Sequence, residues 1–372
     1  MAFHHILAIN PGSTTTKVAI YVNTKVIFLK SIPHDCDELQ KFSKVSDQFQ
    51  YRKDIILEEL KNAHIELDKI EAVVGRGGLI KPIMSGTYRI NEEMKKDLRT
   101  GVLGEHASNL GGLIADDIAN ALPNALAFIA DPVVVDEMED VARISGHPKF
   151  QRISIFHALN QKATARSYAR LLNKKYEDMN LIIAHLGGGI TVGAHKEGRV
   201  IDVNQGLDGE GPFSPERSGT LPVGALARLC FEEGISYPEV RKMITGEGGY
   251  VAYFNTNNAY EIELMADEGE KEANLIQNAM SYQVAKEIGA MATVLHGDVD
   301  GIILTGGIAN NPMVVEYVKK MVSFIAPVII YPGEDEMHAL AMNGLRVLKG
   351  ELKPKEYTEE NMVKTDLPNH QA

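Results

Sequence analysis

The sequence predicts an α/β protein made of two domains of like topology, each a mixed sheet flanked by helices. The chain has 372 residues, which exceeds the usual size of a single hydrophobic core. The segments "HILAINPGSTTTKVAIYVNTKVIFLK" and "LIIAHLGGGITVGAHKEGRVIDVN" share one pattern, in which three apolar runs are separated by turns. Because the two copies lie about half a chain apart, they indicate an internal repeat. Helices and further strands follow each copy, as in α/β domains with mixed sheets.

In the first half, the three-strand unit is followed by a helix with clear periodicity over "DQFQYRKDIILEELKNA". The run "KIEAVVGRGG" predicts a strand that ends in a glycine turn. "HASNLGGLIADDIANAL" then predicts a helix, and "ALAFIAD" predicts the strand after it. We therefore expect a first domain over residues 1–155, completed by a helix near residues 336–350 that follows the second domain.

In the second half, a long charged helix is predicted from Ala158 to Tyr176, before the second three-strand unit. "DGIILTGGIANNPMVVEYVKKMV" reads as strand, glycine turn and helix, and "APVIIYPGEDEMHALAMNGLRVLKG" repeats that order. The second domain is predicted to span residues 156–335. The polar, proline-containing residues 351–372 predict a frayed tail.

Composition excludes several classes of protein. The net charge of −12 lacks the basic footprint of a nucleic-acid binder. The two cysteines, Cys36 and Cys230, have no C-x-x-C spacing, so neither a disulfide framework nor a zinc site is predicted. The N-terminus lacks the pattern of a signal peptide, and no apolar run reaches membrane-spanning length. We expect a cytoplasmic protein with neither nucleic-acid nor membrane partners.

Three glycine turns follow strands, at Pro11–Thr15, Gly187–Gly189 and Gly306–Gly307. In such turns, main-chain N–H groups can point together at an anion. One turn alone is weak evidence, but two of these close the repeated units, which favours a nucleotide site. The first turn is not a Walker loop, because Thr16 stands where its second glycine should be. The G-x-G-x-x-G dinucleotide pattern is not matched either.

Charged and polar side chains stand at the ends of predicted elements beside these turns. Arginines in small-residue turns can bind a phosphoryl group or a carboxylate with two hydrogen bonds. Each residue alone also fits a solvated or structural role, and only the combination favours a site. The residues are Lys17, Arg76, His106, Asp131, His157, His185 and Arg217.

These motifs occur in the order found in the acetate kinase family, which the chain resembles to about Leu348. They are "INPGSTTTK", "LGEHASNLGG", "ADPVVVDE", "IFHA", "AHLGGGI", "ERSGT" and "LTGGIANN". With "VGRGG" and "PGEDEM", the chain is most similar to the butyrate kinase members of that family. The resemblance implies the sugar kinase–actin–Hsp70 fold, with two ribonuclease-H-like domains of five-stranded mixed sheets and ATP in the cleft between them. It also implies a homodimer or a higher homo-oligomer.

The resemblance assigns roles to the matching residues. The first phosphate loop and its lysine match Asn10, Gly12, Ser13, Thr14, Thr15 and Lys17. The second loop matches His185, Gly187, Gly188 and Gly189, and the adenosine motif matches Gly306, Gly307, Ile308 and Asn310. Active-site residues match Arg76, His106, Asp131, His157 and Arg217, and Mg²⁺ is implied at Asn10, Asp131 and Glu336. Acetate kinases carry the first arginine a few residues earlier and have histidine where Arg76 stands.

The activity that the resemblance implies is transfer of the γ-phosphoryl group of ATP to butyrate or a branched analogue. The products are an acyl phosphate and ADP, and the reverse reaction forms ATP. An acyl pocket is predicted at Gly75, Phe156 and Gly209. Acetate kinases carry valine and proline at or near the two glycine positions. The glycines either leave room for a longer acyl chain or simply serve turns.

Three other functions remain open on the sequence. One is an acetate or propionate kinase of the same family. Another is an ATP-binding switch of the actin or Hsp70 kind, which transfers nothing to a carboxylate and has aspartate where Asn10 stands. The last is a hydrolase of the same fold that cleaves phosphoanhydrides in water. ADP formation that depends on a carboxylate distinguishes a kinase from the switch and from the hydrolase.

Overall fold

The computed structural model describes residues 3–363, apart from the side chain of Cys36. The chain divides into two compact units. The first unit contains the residues up to Asp136 together with the segment that begins at Asp335, and the second unit is Glu137–Glu334. Within the described residues, no helix is both long and apolar enough to cross a membrane. Residues 364–372 of the predicted tail lie outside the described part.

The strands are β1 His5–Pro11, β2 Thr15–Val22, β3 Lys25–Pro33, β4 Ile70–Arg76, β5 Thr87–Arg89, β6 Leu126–Ala130, β7 Asn180–Leu186, β8 Ile190–Lys196, β9 Arg199–Val203, β10 Gly301–Gly306 and β11 Val328–Pro332. The helices are α1 Cys36–Leu39, α2 Phe49–Asn62, α3 Glu92–Thr100, α4 Asn109–Asn120, α5 Asp140–Arg143, α6 Ala158–Leu171, α7 Val223–Glu232, α8 Tyr237–Ile244, α9 Tyr250–Phe254, α10 Ala259–Asp267, α11 Lys271–Val294, α12 Pro312–Val322 and α13 Glu336–Leu348. Short 3-10 turns add Tyr176–Asp178 and Gly307–Asn310.

The two sheets share one topology. The first has the order β3-β2-β1-β4-β6-β5, and the second has the order β11-β10-β7-β8-β9. In each sheet, the hairpin strands pair antiparallel and the next two strands pair parallel to the first hairpin strand or to one another. The internal repeat predicted from the sequence is therefore confirmed. The first sheet departs from the five-stranded expectation, because the three-residue β5 pairs with β6 and adds a sixth strand.

The hairpins form where the turn residues allow them. β8 and β9 are joined by Glu197 and Gly198, which have positive φ values of 50° and 82°. A two-residue connection with positive φ at both positions matches the right-handed twist of the flanking strands. Asn23, with φ 53°, lies in the turn between β2 and β3. Asparagine and glycine tolerate this region of backbone space better than other residues do.

Helices cover both faces of the first sheet. Successive side chains of a strand point to opposite faces. On β4, Gly75 faces the main chain of α4, whereas Val74 lies against Gly344 of α13. Helix α13, from the far end of the chain, thus packs on the face of the sheet opposite α4. A similar alternation holds in the second unit, where Ile182 packs with the α11 side and Ile183 with the α6 side.

The segment after α13 contradicts the prediction of a frayed tail as far as the structure describes it. Tyr357 is fully buried, and its hydroxyl donates to Asp97 Oδ2 at 2.7 Å. The main chain of Lys355 bonds with Thr87 and Arg89. The segment is polar on average, and this average does not reveal that one aromatic side chain, Tyr357, is buried. No strand precedes α6 either, since residues 152–156 are irregular rather than extended.

Candidate active site

The turn between β1 and β2, which is the predicted first phosphate loop, is held from behind by its main-chain carbonyl groups. The carbonyl oxygens of Gly12, Ser13 and Thr15 accept hydrogen bonds from the guanidinium of Arg52, at 2.8, 2.9 and 3.4 Å. The carbonyl of Thr14 accepts from the main-chain N–H of His34 at 2.8 Å. The carbonyls at positions 12–15 thus face into the unit, while the side chains of Ser13 and Thr14 are exposed. An anion approaching from solvent would not meet the carbonyl oxygens first.

Arg52, which supports the predicted phosphate loop, is not among the residues that the sequence singled out. It lies on α2, is fully buried, and also donates to Thr16 Oγ1 and Gln48 Oε1. Burial lowers the pKa of Arg52, but a guanidinium keeps its charge in proteins. The protein therefore keeps a cation directly beneath the loop. The only sequence signal was a charged residue in a helix, a pattern typical of solvent-facing positions.

Three predicted residues of the first unit meet at the ends of β1, β4 and α13. Asn10 Nδ2 donates to Glu336 Oε2 at 2.6 Å, and Arg76 Nη1 donates to Asn10 Oδ1 at 3.2 Å. Arg76 Nη1 also lies 3.3 Å from Glu336 Oε2. Asn10 and Glu336 are buried, whereas Arg76 is only half-buried. The amide of Asn10 therefore gives its nitrogen to the carboxylate and its oxygen to the guanidinium, which an aspartate could not do.

Asp131 follows β6 in a strained conformation, with φ 38°. Its Oδ1 accepts from Ser85 Oγ at 2.6 Å and from the main-chain N–H of Gly86 at 2.9 Å. The residue is 2% exposed. Strain of this kind persists where surrounding contacts impose it, and it concentrates at functional sites. The two donors therefore fix the orientation of this carboxylate.

His106 and Lys17 are placed differently from each other. His106 lies before α4 rather than at its first residue, and its Nδ1 accepts from the main-chain N–H of Ser108 at 3.2 Å. Lys17 is exposed on β2 directly opposite Asn10. Directly opposed residues of an antiparallel pair share a face of the sheet. Lys17 is thus a neighbour of the cluster of Asn10, Arg76 and Glu336.

The turn between β7 and β8, which is the predicted second phosphate loop, is supported by groups of its own unit. The carbonyl of Gly188 accepts from Ser214 Oγ at 2.6 Å, and the N–H of Gly187 bonds to the carbonyl of Gly189. The guanidinium of Arg217 covers Gly189 so closely that a Cβ there would lie 1.8 Å from Nη1. Glycine at position 189 is thus required by a predicted active-site arginine. Arg217 Nη1 also donates to the carbonyl of Gly206.

His157 and His185 lie together beside this hairpin. Their rings stack with centroids 3.8 Å apart and an interplanar angle of 11°. His157 Nδ1 lies 2.9 Å from Thr191 Oγ1, and Thr191 pairs with His185 across β7 and β8. His185 is fully buried, with Nδ1 2.8 Å from Asn160 Oδ1 and Nε2 3.0 Å from Glu334 Oε1. His185 is therefore not accessible to solvent, whereas the half-buried His157 is partly accessible.

A cavity of about 440 Å³ opens beside the second hairpin. Its walls include the predicted Gly187, Gly188, Gly307, Ile308 and Asn310. The sequence reasoning missed the remaining lining residues, Pro215, Asn257, Asn258, Ala259, Tyr260, Glu263, Asn311 and Glu334. Most of these lie at the start of α10, whose sequence has no motif that marks a site. Desolvation, and then the nearby Asp267, raises the pKa of Glu263.

The predicted acyl pocket must be corrected at its glycines. A Cβ at Gly75 would lie 2.1 Å from the carbonyl oxygen of Gly111, so this glycine lets α4 approach β4 and opens no space for a ligand. Gly209 has φ 80°, a turn conformation that favours glycine. The structure therefore supports a packing role for Gly75 and a turn role for Gly209, rather than room for a longer acyl chain. Phe156, directly before His157, is buried.

The described residues contain no group of three His, Cys, Asp or Glu side chains that could hold a metal ion. The oxygen donors of Asn10, Asp131 and Glu336 nevertheless suit Mg²⁺, which binds oxygen and usually takes only one or two protein carboxylates plus substrate phosphates. The donor chemistry therefore fits, without a dedicated cage of protein ligands.

Comparison with known proteins identifies the family of the chain. The acetokinase family model matches residues 151–329. Butyrate kinase 2 of Clostridium acetobutylicum is 57% identical over 352 residues, which are 95% of this chain and 99% of that protein. Butyrate kinase 1 of the same organism is 57% identical over 354 residues, with the same coverage. The chain belongs to the butyrate kinase group of the acetokinase family. The resemblance that the sequence motifs indicated is thereby confirmed.

Solved structures show that the acetokinase fold is shared. The acetate kinase of Porphyromonas gingivalis superposes with a TM-score of 0.77 at 20% identity, over 93% of this chain and all of that chain. A propionate kinase from Francisella tularensis gives a TM-score of 0.72 at 19% identity, over 91% of this chain and 98% of that chain. At such identities the likeness concerns the fold, and it confirms the predicted class of two mixed sheets flanked by helices.

Proposed function

We propose that this protein transfers the γ-phosphoryl group of ATP to a short-chain carboxylate, butyrate or a branched analogue, and catalyses the reverse reaction with ADP. The observation that carries the proposal is the 57% identity to two butyrate kinases over 99% of their length. The geometry supports it, because each unit presents a cluster of the side chains that such a reaction requires.

The acceptor carboxylate needs no general base. Its pKa lies near that of a glutamate side chain, about 4.3, so it is already an anion at neutral pH. The difficulty is repulsion between that anion and the triphosphate. Arg76, Arg217 and Lys17 supply positive charge, and Arg52 adds a buried cation under the first loop. Asp131, already held by Ser85 and Gly86, acts in this proposal as a positioning or metal-binding group.

The second unit supplies the nucleotide site in this proposal. The cavity beside Gly187 and Gly307 would take the adenosine, and the turn at Gly187–Gly189 would hold phosphate oxygens with its N–H groups. His157 would donate a hydrogen bond to the phosphoryl group in flight. Phosphoryl transfer depends mainly on positioning and charge stabilisation, and one such donor is worth roughly 10²–10³ in kcat.

Mg²⁺ is part of the proposal. Asn10, Asp131 and Glu336 are the residues that would hold it, directly or through water. When bound, the ion neutralises charge on the phosphates and the transferring group. Glu336 is already oriented by Asn10 and Arg76, so the protein fixes the carboxylate before any ion arrives.

Trapping of the acyl phosphate as its hydroxamate, with acetate, propionate, butyrate, isobutyrate and valerate as acceptors, tests the proposed activity. Each buried CH₂ contributes about 0.8 kcal/mol, so butyrate should exceed acetate in kcat/KM by roughly tenfold or more. A preference for acetate or propionate would move the protein to that substrate class. Release of phosphate without any carboxylate would instead support the hydrolase.

We also propose a homodimer or a higher homo-oligomer. Helix α7 supports this, because it contains no buried residue while its Val223 and Phe231 are 79% and 90% exposed. Contiguous exposed apolar patches often mark protein–protein contacts, and these two side chains lie on one helix. Size-exclusion chromatography with light scattering measures the mass of the particle in solution. A mass near 40.8 kDa, that of one chain, would contradict the proposal. The cytoplasmic location stays a prediction.

A further inference from the structure

The ring of His157 can serve the reaction in different ways, depending on which nitrogen carries its proton. Its Nδ1 faces Thr191 Oγ1, which turns Nε2 away from this contact. Thr191 belongs to a line of hydrogen bonds that runs into the interior of the second unit. The line passes through Gln161, His195 and Tyr176. Donors and acceptors along it can be assigned one by one.

The side-chain amide of Gln161 has one orientation that satisfies its neighbours. Its Nε2 lies 3.0 Å from both the carbonyl oxygen and the hydroxyl oxygen of Thr191. A carbonyl oxygen only accepts, so the amide nitrogen must be the atom that faces Thr191. The amide oxygen must then face His195 Nε2, at 2.9 Å. Gly193 leaves the space for this contact, since a Cβ there would lie 2.7 Å from Gln161 Oε1.

The contacts of both ring nitrogens of His195 define its tautomer. Because Gln161 Oε1 can only accept, His195 Nε2 must carry a hydrogen. The ring is fully buried, and burial followed by the charges of Lys162 and Arg166 lowers the pKa of His195 well below its usual range. The ring is therefore neutral, and its Nδ1 accepts from the hydroxyl of Tyr176 at 2.7 Å.

The hydroxyl of Thr191 connects Gln161 to His157. Its hydroxyl oxygen accepts from Gln161 Nε2 and lies 3.4 Å from the main-chain nitrogen of His157. A hydroxyl has two acceptor positions and one hydrogen. Two N–H groups occupy the acceptor positions, so the hydrogen is left for His157 Nδ1.

We propose that Tyr176, His195, Gln161 and Thr191 are positioning residues that hold His157 as the neutral tautomer protonated on Nε2. The inference rests on the proposed role of His157 in phosphoryl transfer. It makes His157 a donor of one aimed hydrogen bond rather than a proton carrier. That suits a carboxylate nucleophile, which has no proton to lose.

Charged side chains lie beside this line of hydrogen bonds. His185 stacks on His157 with the ring centroids 3.8 Å apart. Lys162 is neutralised locally by Glu137, with Nζ to Oε2 at 2.7 Å. Lys162 and Arg166 are the charged groups that act on His195, and Glu334 lies 3.0 Å from the His185 ring that stacks on His157.

Nitrogen-15 NMR of the wild-type protein, labelled at histidine, tests the tautomer directly. The signals of His157 are assigned by their loss in His157→Asn. At pH 7 we expect a protonated Nε2 and an unprotonated Nδ1. A protonated Nδ1, or an equal mixture of the two tautomers, would overturn the inference. This experiment needs no activity, so it stays decisive even if butyrate proves not to be the substrate.

Thr191→Val and Thr191→Ser test the consequence for turnover. Valine keeps the shape but removes the hydroxyl, so His157 loses its fixed orientation and tautomer. We expect kcat to fall roughly 10–100-fold, with the KM values for ATP and the carboxylate little changed. Serine keeps the hydroxyl and should restore most of kcat. Normal kcat in a folded Thr191→Val protein would overturn the inference, as would equal losses in both variants, which would indicate a role in packing alone.

Discussion

Arg52 sets the conformation of the first phosphate loop through three main-chain carbonyl groups. A lysine at this position would keep the charge but could not reach several acceptors in fixed directions. Hydrogen bonds to charged groups are worth about 1.5–3 kcal/mol each. This loop lacks the second glycine of a Walker loop, and its main chain is held instead by a side chain from α2.

We expect Arg52→Lys to lower the free energy of unfolding by about 2–4 kcal/mol, because at least two charged hydrogen bonds are lost. If the proposed function holds, the KM for ATP should rise as well. Urea denaturation and steady-state kinetics measure the two effects. Arg99→Lys, at an exposed position on α3, is the matched control and should leave both values unchanged. Equal behaviour of the two variants would contradict the role of Arg52.

His34 gives the first unit a pH dependence of known sign. Burial, and then the charge of Arg52, lowers the pKa of His34 to about 4. An unfolded histidine titrates near about 6.5, so between these pH values the unfolded chain binds a proton that the folded chain does not. The free energy of unfolding should therefore fall as the pH drops from about 6.5 to 4, by at most about 3 kcal/mol from this group.

His34→Gln keeps a polar group near Thr16 Oγ1 and removes the titration. The difference between wild type and variant isolates His34, because the other titrating groups are common to both proteins. We expect the wild type to lose more stability than the variant between about pH 6.5 and 4, as measured by urea denaturation. Parallel pH curves for the two proteins would rule out His34 as the cause.

At the scale of elements, Gly75 brings β4 and α4 together. Alanine at this position would place its Cβ 2.1 Å from the carbonyl oxygen of Gly111, so the helix must move. We expect Gly75→Ala to lower the free energy of unfolding by about 3 kcal/mol or more, as overpacked cores do. The midpoint of urea denaturation measures the change.

Gly289→Ala on α11 is the control for this substitution, because a Cβ at that position would meet no heavy atom within 4 Å. In a helix, alanine should leave stability unchanged or raise it by up to about 1 kcal/mol. A Gly75→Ala protein of normal stability that prefers acetate would contradict the packing account and restore the acyl pocket.

The strands and hairpins were predictable because each is local. An apolar run, a turn residue and a second apolar run specify a hairpin without reference to the rest of the chain. The residues that were missed act over long distances in the sequence. Arg52 reaches back to Gly12, and Tyr357 reaches Asp97. Nothing in a helix or tail sequence states which distant acceptor a side chain will find.

The glycines show a similar limit to prediction from the sequence, because the group that packs against a glycine comes from elsewhere in the chain. The sequence showed that Gly75 and Gly189 lie in turns or at strand ends, but not what occupies the space of the missing side chain. At Gly75 it is the main chain of α4, and at Gly189 it is the guanidinium of Arg217. Glycine patterns therefore predict close approach, whereas the identity of the approaching group requires the fold.

At the scale of the whole molecule, the first unit is built from both ends of the described chain. Tyr357 fixes the final segment, since its ring is fully buried and its hydroxyl lies between Asp97 Oδ2 and the main-chain nitrogen of Lys81. Burial, and then Asp97, raises the pKa of Tyr357, so the hydroxyl stays a donor at any ordinary pH.

We expect Tyr357→Ala to lower the free energy of unfolding by about 3–5 kcal/mol, through the lost ring and the cavity left behind. Tyr357→Phe should cost about 1–3 kcal/mol, because Asp97 loses a buried partner. Tyr237→Ala, at a side chain that is 75% exposed, should change stability by less than about 0.5 kcal/mol. Thermal unfolding compares the three variants, and a loss at Tyr357 no larger than that at Tyr237 would show that the segment contributes nothing.

The discontinuous first unit has a consequence for biosynthesis. The helix α13 and the segment after it complete this unit, yet the ribosome makes them after all of Glu137–Glu334. At roughly 5–20 residues per second, about 200 intervening residues delay them by roughly 10–40 s. During that time one face of the first sheet lacks its covering helix, and the second unit has its whole sequence before α13 is made. The nascent chain should therefore complete its second unit first, and the uncovered N-terminal sheet is where a chaperone would act.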